Sequence, residues 1–156
     1  MVKTLVVGFG NPILCDDGVG NRVAQEISKL IRTPDITVIE TSAAGLDFID
    51  LLDGYDKAII IDAMMSGKGK PGEICRLPAD AINCTLHSVS LHDISLGSAL
   101  ELGKRLGNNM PEEIIIYGIE VQNVDIFSEK CSSQVELAIP DCVRRVVDEL
   151  EGDYGE

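Results

Sequence analysis

Lys3-Thr-Leu-Val-Val-Gly8-Phe-Gly10-Asn-Pro-Ile-Leu-Cys-Asp16-Asp17-Gly18-Val-Gly20 is the stretch on which the fold turns. Lys3 to Gly8 is apolar and β-branched, the composition of a strand. Gly18 to Ile31 then carries Val19, Val23, Ile27, Leu30 and Ile31 at helical spacing, which predicts an amphipathic helix. A strand, a Gly-rich turn and a helix in that order open an α/β chain. The same alternation continues outward. Asp35 to Glu40 reads as a second strand and Leu46 to Leu52 as a short helix. Lys57-Ala-Ile-Ile-Ile-Asp62 reads as a third strand, its unbroken apolar run implying burial on both faces.

Ser66 to Gly72 has the composition of an exposed loop, and its Lys68 and Lys70 read as solvated charges. Glu73 to Leu77 reads as a short strand, Ser95 to Leu106 as a helix and Glu113 to Gly118 as the last strand, while residues 78 to 91 give little pattern. Ser133-Gln-Val-Glu136 has capping-box form and opens a final helix to about Leu150, in which Pro140 should produce a kink or a restart. Asp148 to Glu156 holds five acids in nine residues and reads as a fraying end. The expected organisation is a single α/β domain over 1–150 with an acidic, disordered tail at 151–156. Alternating strands and helices imply a parallel or mostly parallel sheet between helical layers. A chain of 156 residues suits one core.

Composition narrows the function. Lys plus Arg is 13 and Asp plus Glu is 26, a formal charge of −13. That balance argues against nucleic acid and against an anionic membrane surface, both of which need clustered cations. The longest unbroken apolar runs, Ala58 to Ile61 and Ile114 to Tyr117, are far short of the roughly 20 residues of a membrane span. The start of the chain lacks signal-peptide form, because the Leu5-Val6-Val7 run stops at Gly8. The five cysteines (Cys15, Cys75, Cys84, Cys131, Cys142) are odd in number, with no pair at CxxC spacing. Reduced thiols and a cytoplasmic protein are expected.

The Gly-rich turn sits where a dinucleotide fingerprint would, but its spacing fails, with Ile13 in place of the third glycine. Asp16 and Asp17 would also repel a docked pyrophosphate, by on the order of several kcal/mol at an effective dielectric near 20. No nucleotide cofactor is expected, and a nucleotide-binding domain is the weakest of the readings considered. One Asp of the pair suffices to cap the following helix, which leaves the second to face a cleft. Open α/β sheets bind ligands beyond the carboxyl ends of their strands. If the first and third strands are neighbours, Asp17 follows one such end and Asp62 closes the other. An acid ending an Ile-Ile-Ile run is costly unless it meets water, a metal or a donor.

Only two histidines exist. His92 precedes a predicted helix, whose N-terminus would keep it neutral and able to bind metal. His87 has no evident partner. Asp17, Asp62 and His92 together make an open mixed oxygen and nitrogen set that suits divalent nickel or zinc. Cys15 adjoins the acidic pair, either as a fourth ligand or as a small buried apolar residue. No HExxH or GxSxG signature is present.

These residues, in this order, resemble the nickel–iron hydrogenase maturation endopeptidases. The match comprises Gly8-x-Gly10-Asn11 through Asp16-Asp17-Gly18-x-Gly20, Ala44-Gly45, Asp62, His92, Gly118-Ile119-Glu120, and a final helix with an internal Ile-Pro. The resemblance implies a three-layer α/β/α domain with a five-stranded, mostly parallel sheet and one antiparallel strand, here assigned to residues 73 to 77. It implies an endopeptidase that removes the C-terminal extension of a nickel-loaded large-subunit precursor. It makes Asp17, Asp62 and His92 the residues that contact the metal and carry catalysis, and makes nickel a cargo of the precursor. Some members of the family carry Glu where this chain has Asp17. Hydrogenases that reduce cofactor F420 are one candidate client. The alternative from another class is a non-catalytic chaperone that checks nickel in the same precursor.

Overall fold

A computed structural model describes residues 2–42, 47–79, 85–86 and 96–154. Ala44-Gly45, Cys84, His87 and His92 lie outside the described residues. Five strands form one sheet, β1 (Thr4–Phe9), β2 (Ile36–Thr41), β3 (Lys57–Met64), β4 (Ile74–Pro78) and β5 (Glu113–Glu120), in the order β2-β1-β3-β5-β4. All pairings are parallel except that of β4 with β5. The antiparallel strand is the one expected at residues 73 to 77. Among the described residues four α-helices flank the sheet, α1 (Val19–Leu30), α2 (Asp47–Leu52), α3 (Leu96–Arg105) and α4 (Ser133–Tyr154).

The layering follows from side-chain alternation along the strands. Every residue of β1 and β3 is buried, as is all of β5 beyond Glu113. Val6, Ile59, Ile61, Ile115 and Ile119 pack with Val23 and Ile27 of α1 and with Val135 and Val146 of α4. On the opposite face Leu5, Val7, Ala58, Ile60, Ile114 and Ile116 pack with Ile49 and Leu52 of α2 and Ala99 of α3. The expected three-layer α/β/α architecture is therefore the observed one.

Three boundaries differ from the sequence pattern. β3 and β5 run on past the apolar runs, because Asp62 pairs with Gly118 and Met64 with Glu120. Asp62 thus lies inside its strand, and the ladder continues across a polar residue that had seemed to end it. The capping box is also displaced. Helix α4 begins at Ser133, Glu136 reaches back to the Cys131 N–H (3.0 Å), and the Ser132 hydroxyl donates to Asp16 (2.8 Å). Pro140 lies within α4 without ending it. Pro140 is exposed, so its ring and missing N–H fall on the solvent side, where water can satisfy the freed carbonyl. The helix ends at Tyr154, beyond Leu150, whose buried side chain fastens this last stretch to the core.

Candidate active site

The parallel strands β1, β3 and β5 all end at one edge of the sheet, and the loops that follow them build the site. After β1 the chain turns at Gly10, whose φ of +150° is closed to most side chains. A Cβ there would also lie 2.2 Å from the Asp17 carbonyl oxygen. A 3-10 turn over Cys15–Gly18 leads directly into α1. Gly20 lets the first turn of α1 rest on the sheet, since a Cβ would lie 2.4 Å from the Phe9 carbonyl oxygen and 2.5 Å from that of Ile61. Asp17 is therefore carried at the rim where β1 and β3 end side by side.

The two acids of the turn have separate jobs, and neither caps a helix through its side chain. Asp16 is fully buried. Its carboxylate accepts the N–H of Ser132 (2.6 Å), of Asn123 (3.0 Å) and of Gln122 (3.2 Å), together with the Ser132 hydroxyl. Burial alone would push this carboxyl up, but the donors of Ser132, Asn123 and Gln122 jointly outweigh it and hold it below the ordinary carboxylate range. Asp16 is thus a brace between the β1 loop and the β5 loop. Asp17 is only half-buried and accepts the Asn11 N–H at 2.9 Å. It is the more exposed acid of the pair.

Cys15 separates from the ligand reading. It is buried, its thiol faces Asp16 Oδ1 at 3.7 Å, and burial followed by the Asp16 charge pushes its pKa up. It also holds φ at +52°, a conformation that costs a non-glycine residue roughly 1 kcal/mol. Backbone bonds to Ser128 on one side of the turn and Asn123 on the other hold it there. Among the described residues Cys15, Cys75, Cys131 and Cys142 are free thiols.

Asp62 is buried in β3, with Oδ1 accepting the Ala63 N–H at 2.8 Å. Strand alternation puts it on the face that α2 and α3 cover, two residues before the strand's end. One acid was overlooked by the sequence reading as a structural element. Glu120 closes β5, is buried, and accepts both the N–H and the hydroxyl of Ser66. It anchors the base of the Ser66 to Gly72 loop, on which Lys68 and Lys70 are exposed. The signal was the same as for Asp62, an acid closing an isoleucine-rich run. Among the described residues no three His, Cys, Asp or Glu side chains converge as a metal cluster. Asp17 lies in the 3-10 turn that follows β1 and Asp62 inside the neighbouring β3, while His92 lies outside the described residues.

The fold is a three-layer α/β/α sandwich around a mixed sheet, with the loops that follow β1, β3 and β5 gathered at its carboxyl edge, Asp17 in the first of them and Asp62 inside β3. The family model for hydrogenase maturation proteases matches residues 21–149. A protein of Methanocaldococcus jannaschii, provisionally named a hydrogenase maturation protease, is 31% identical over 143 residues, covering 86% of this chain and 90% of its own. The hydrogenase-maturating endopeptidase HybD of Escherichia coli shares the fold with a TM-score of 0.80 at 22% identity, over 97% of this chain and 93% of its own. The maturation protease HycI of Thermococcus kodakarensis gives 0.72 at 21% identity, over 96% and 93%. The chain belongs to the hydrogenase maturation protease family, as its motifs suggested. Its activity is that of a hydrogenase maturation endopeptidase. Among the described residues no helix is long and apolar enough to cross a membrane.

Proposed function

We propose that the protein removes the C-terminal extension of a nickel-loaded nickel–iron hydrogenase large-subunit precursor, and that Asp17, Asp62 and His92 recognise the nickel the precursor carries. The observation that supports this most is the division of labour in the acidic pair. Asp16 is consumed by internal donors, whereas Asp17 is presented at the rim beside the end of β3, the strand that holds Asp62. His92 stands four positions before α3 in the sequence, and α3 packs on the sheet face that carries Asp62. Two carboxylates and one imidazole leave coordination positions for the precursor's own ligands. Nickel held there would place the adjacent peptide bond against the rim, and a Lewis acid so placed polarises a carbonyl or acidifies a water. The protein's own contribution is the positioning of two fixed acids. Cytoplasmic action fits the reduced thiols.

The test is incubation with purified nickel-loaded precursor, followed by intact-mass measurement. The wild-type protein should shorten the precursor by its tail, and Asp17→Asn should leave the tail in place while retaining its fold. Cleavage at the wild-type rate by Asp17→Asn would remove Asp17 from the reaction. Binding without any cleavage by the wild type would point instead to a chaperone that checks the metal.

A further inference from the structure

The rim is unexpectedly apolar for so acidic a chain. Among the described residues, Ile13, Met65, Ile126 and Phe127 are exposed by 48%, 49%, 54% and 81%. They make up half of the large apolar side chains that the described surface exposes. All lie on the loops that leave the carboxyl ends of β1, β3 and β5, the same edge that carries Asp17. Scattered exposed apolar residues need no explanation, but four on the loops of one sheet edge call for one.

The loops that carry Ile13, Ile126 and Phe127 are held together. Leu14 and Ser128 form a parallel bridge, with the Ser128 N–H donating to the Ile13 carbonyl and the Cys15 N–H to that of Ser128, each at 2.9 Å. Parallel pairing sets Ile13 beside Phe127. Asp16 ties the same two loops together from beneath through Gln122, Asn123 and Ser132. A buried carboxylate and its donors thus join the loop that carries Asp17 and Ile13 to the loop that carries Phe127. The bracing stabilises the fold, and it also preorganises this edge, so that a partner docking there costs less entropy.

We propose that Ile13, Met65, Ile126 and Phe127 form an apolar docking rim that seats an apolar stretch of the protein substrate next to the scissile bond. The choice of occupant rests on the function proposed above. A protease that matures hydrogenases must hold a protein substrate, and under that reading the substrate lies along the edge that carries Asp17. Phe127 is the anchor by size and exposure, since aromatic side chains dominate such contacts.

The test compares Phe127→Ser and Phe127→Leu with the wild type, and Leu106→Ser serves as control. Leu106 is 67% exposed and follows α3 on the way to the amino end of β5. Dissociation constants for the nickel-loaded precursor would be measured, alongside cleavage rates and light scattering of each protein alone. The docking rim predicts about tenfold weaker precursor binding for Phe127→Ser, near wild-type binding for Phe127→Leu and no change for Leu106→Ser, with kcat within about twofold throughout. Unchanged binding by Phe127→Ser overturns the proposal, as does a wild type that fails to bind the precursor. A wild-type dimer that Phe127→Ser converts to a monomer also overturns it, making the rim a contact between copies of the chain. If the wild type binds and Phe127→Ser weakens binding, yet no cleavage occurs, the docking rim stands and the proteolytic reading falls.

Discussion

Replacing one or the other of two adjacent aspartates should produce opposite phenotypes. Asp16→Asn keeps size and shape but turns one acceptor oxygen into an N–H₂ donor. Oδ1 faces the Ser132 N–H, and Oδ2 faces the N–H groups of Gln122 and Asn123. The amide oxygen can serve only one side. On the other, one or two buried backbone donors meet another donor. A hydrogen bond to a charged acceptor contributes about 1.5–3 kcal/mol, and an orphaned buried donor costs a comparable amount. Allowing for relaxation of an exposed loop, Asp16→Asn should cost about 3 kcal/mol, a fall of roughly 6–12 °C in Tm for a domain of this size. Asp17→Asn keeps an oxygen for the Asn11 N–H at a half-buried position and should cost less than Asp16→Asn. Calorimetry on the two variants, run beside the precursor-cleavage assay, makes the comparison. Asp16→Asn should melt early yet retain cleavage at low temperature, and Asp17→Asn should melt near the wild type with its cleavage abolished. A fall of less than about 2 °C for Asp16→Asn would refute the bracing role.

Further outcomes follow from the same contacts. The Asp16 and Glu136 carboxyls are both held below the ordinary range, Asp16 by its backbone and Ser132 donors against burial, Glu136 chiefly by Arg22. Their stabilisation is complete above about pH 4 and is lost as pH falls through the lowered folded values, so urea unfolding should show stability dropping below about pH 4, with a shallower drop in Asp16→Asn. Gly20→Ala should destabilise by about 3 kcal/mol or more in urea unfolding, because its methyl group meets two backbone carbonyl oxygens at 2.4 and 2.5 Å. Burial pushes the Cys131 and Cys142 thiols up to about 12. At pH 8 both should therefore resist iodoacetamide at least tenfold longer than half-buried Cys75, as read by peptide mass.

How much of this was legible beforehand depended on the range of the interactions involved. The buried strands were plain, because Lys57 to Asp62 and Glu113 to Gly118 are apolar on both faces, and α1 was plain from its periodicity. The strand ends were not, because Asp62 and Glu120 continue the backbone ladder with polar side chains, which a hydrophobic pattern reads as a stop. The acidic pair was visible as a pair, and a cap needed only one member of it. Its actual assignment was hidden, because the donors that bury Asp16 lie 106 to 116 positions away in the sequence. The displaced capping box has the same origin, since Ser132 gives its hydroxyl to Asp16 across the molecule. The antiparallel β4 came from the family resemblance, as strand direction leaves no local trace in five residues.

The central claim is that acids of this rim, with His92, grasp nickel carried by the precursor. X-ray absorption at the nickel edge, recorded on nickel-loaded precursor before and after mixing with the protein under conditions too cold for cleavage, reads it directly. Added nitrogen and oxygen scatterers with the wild type, absent with Asp17→Asn, are the predicted result. A nickel ligand shell that stays the same when wild-type protein binds would contradict the account.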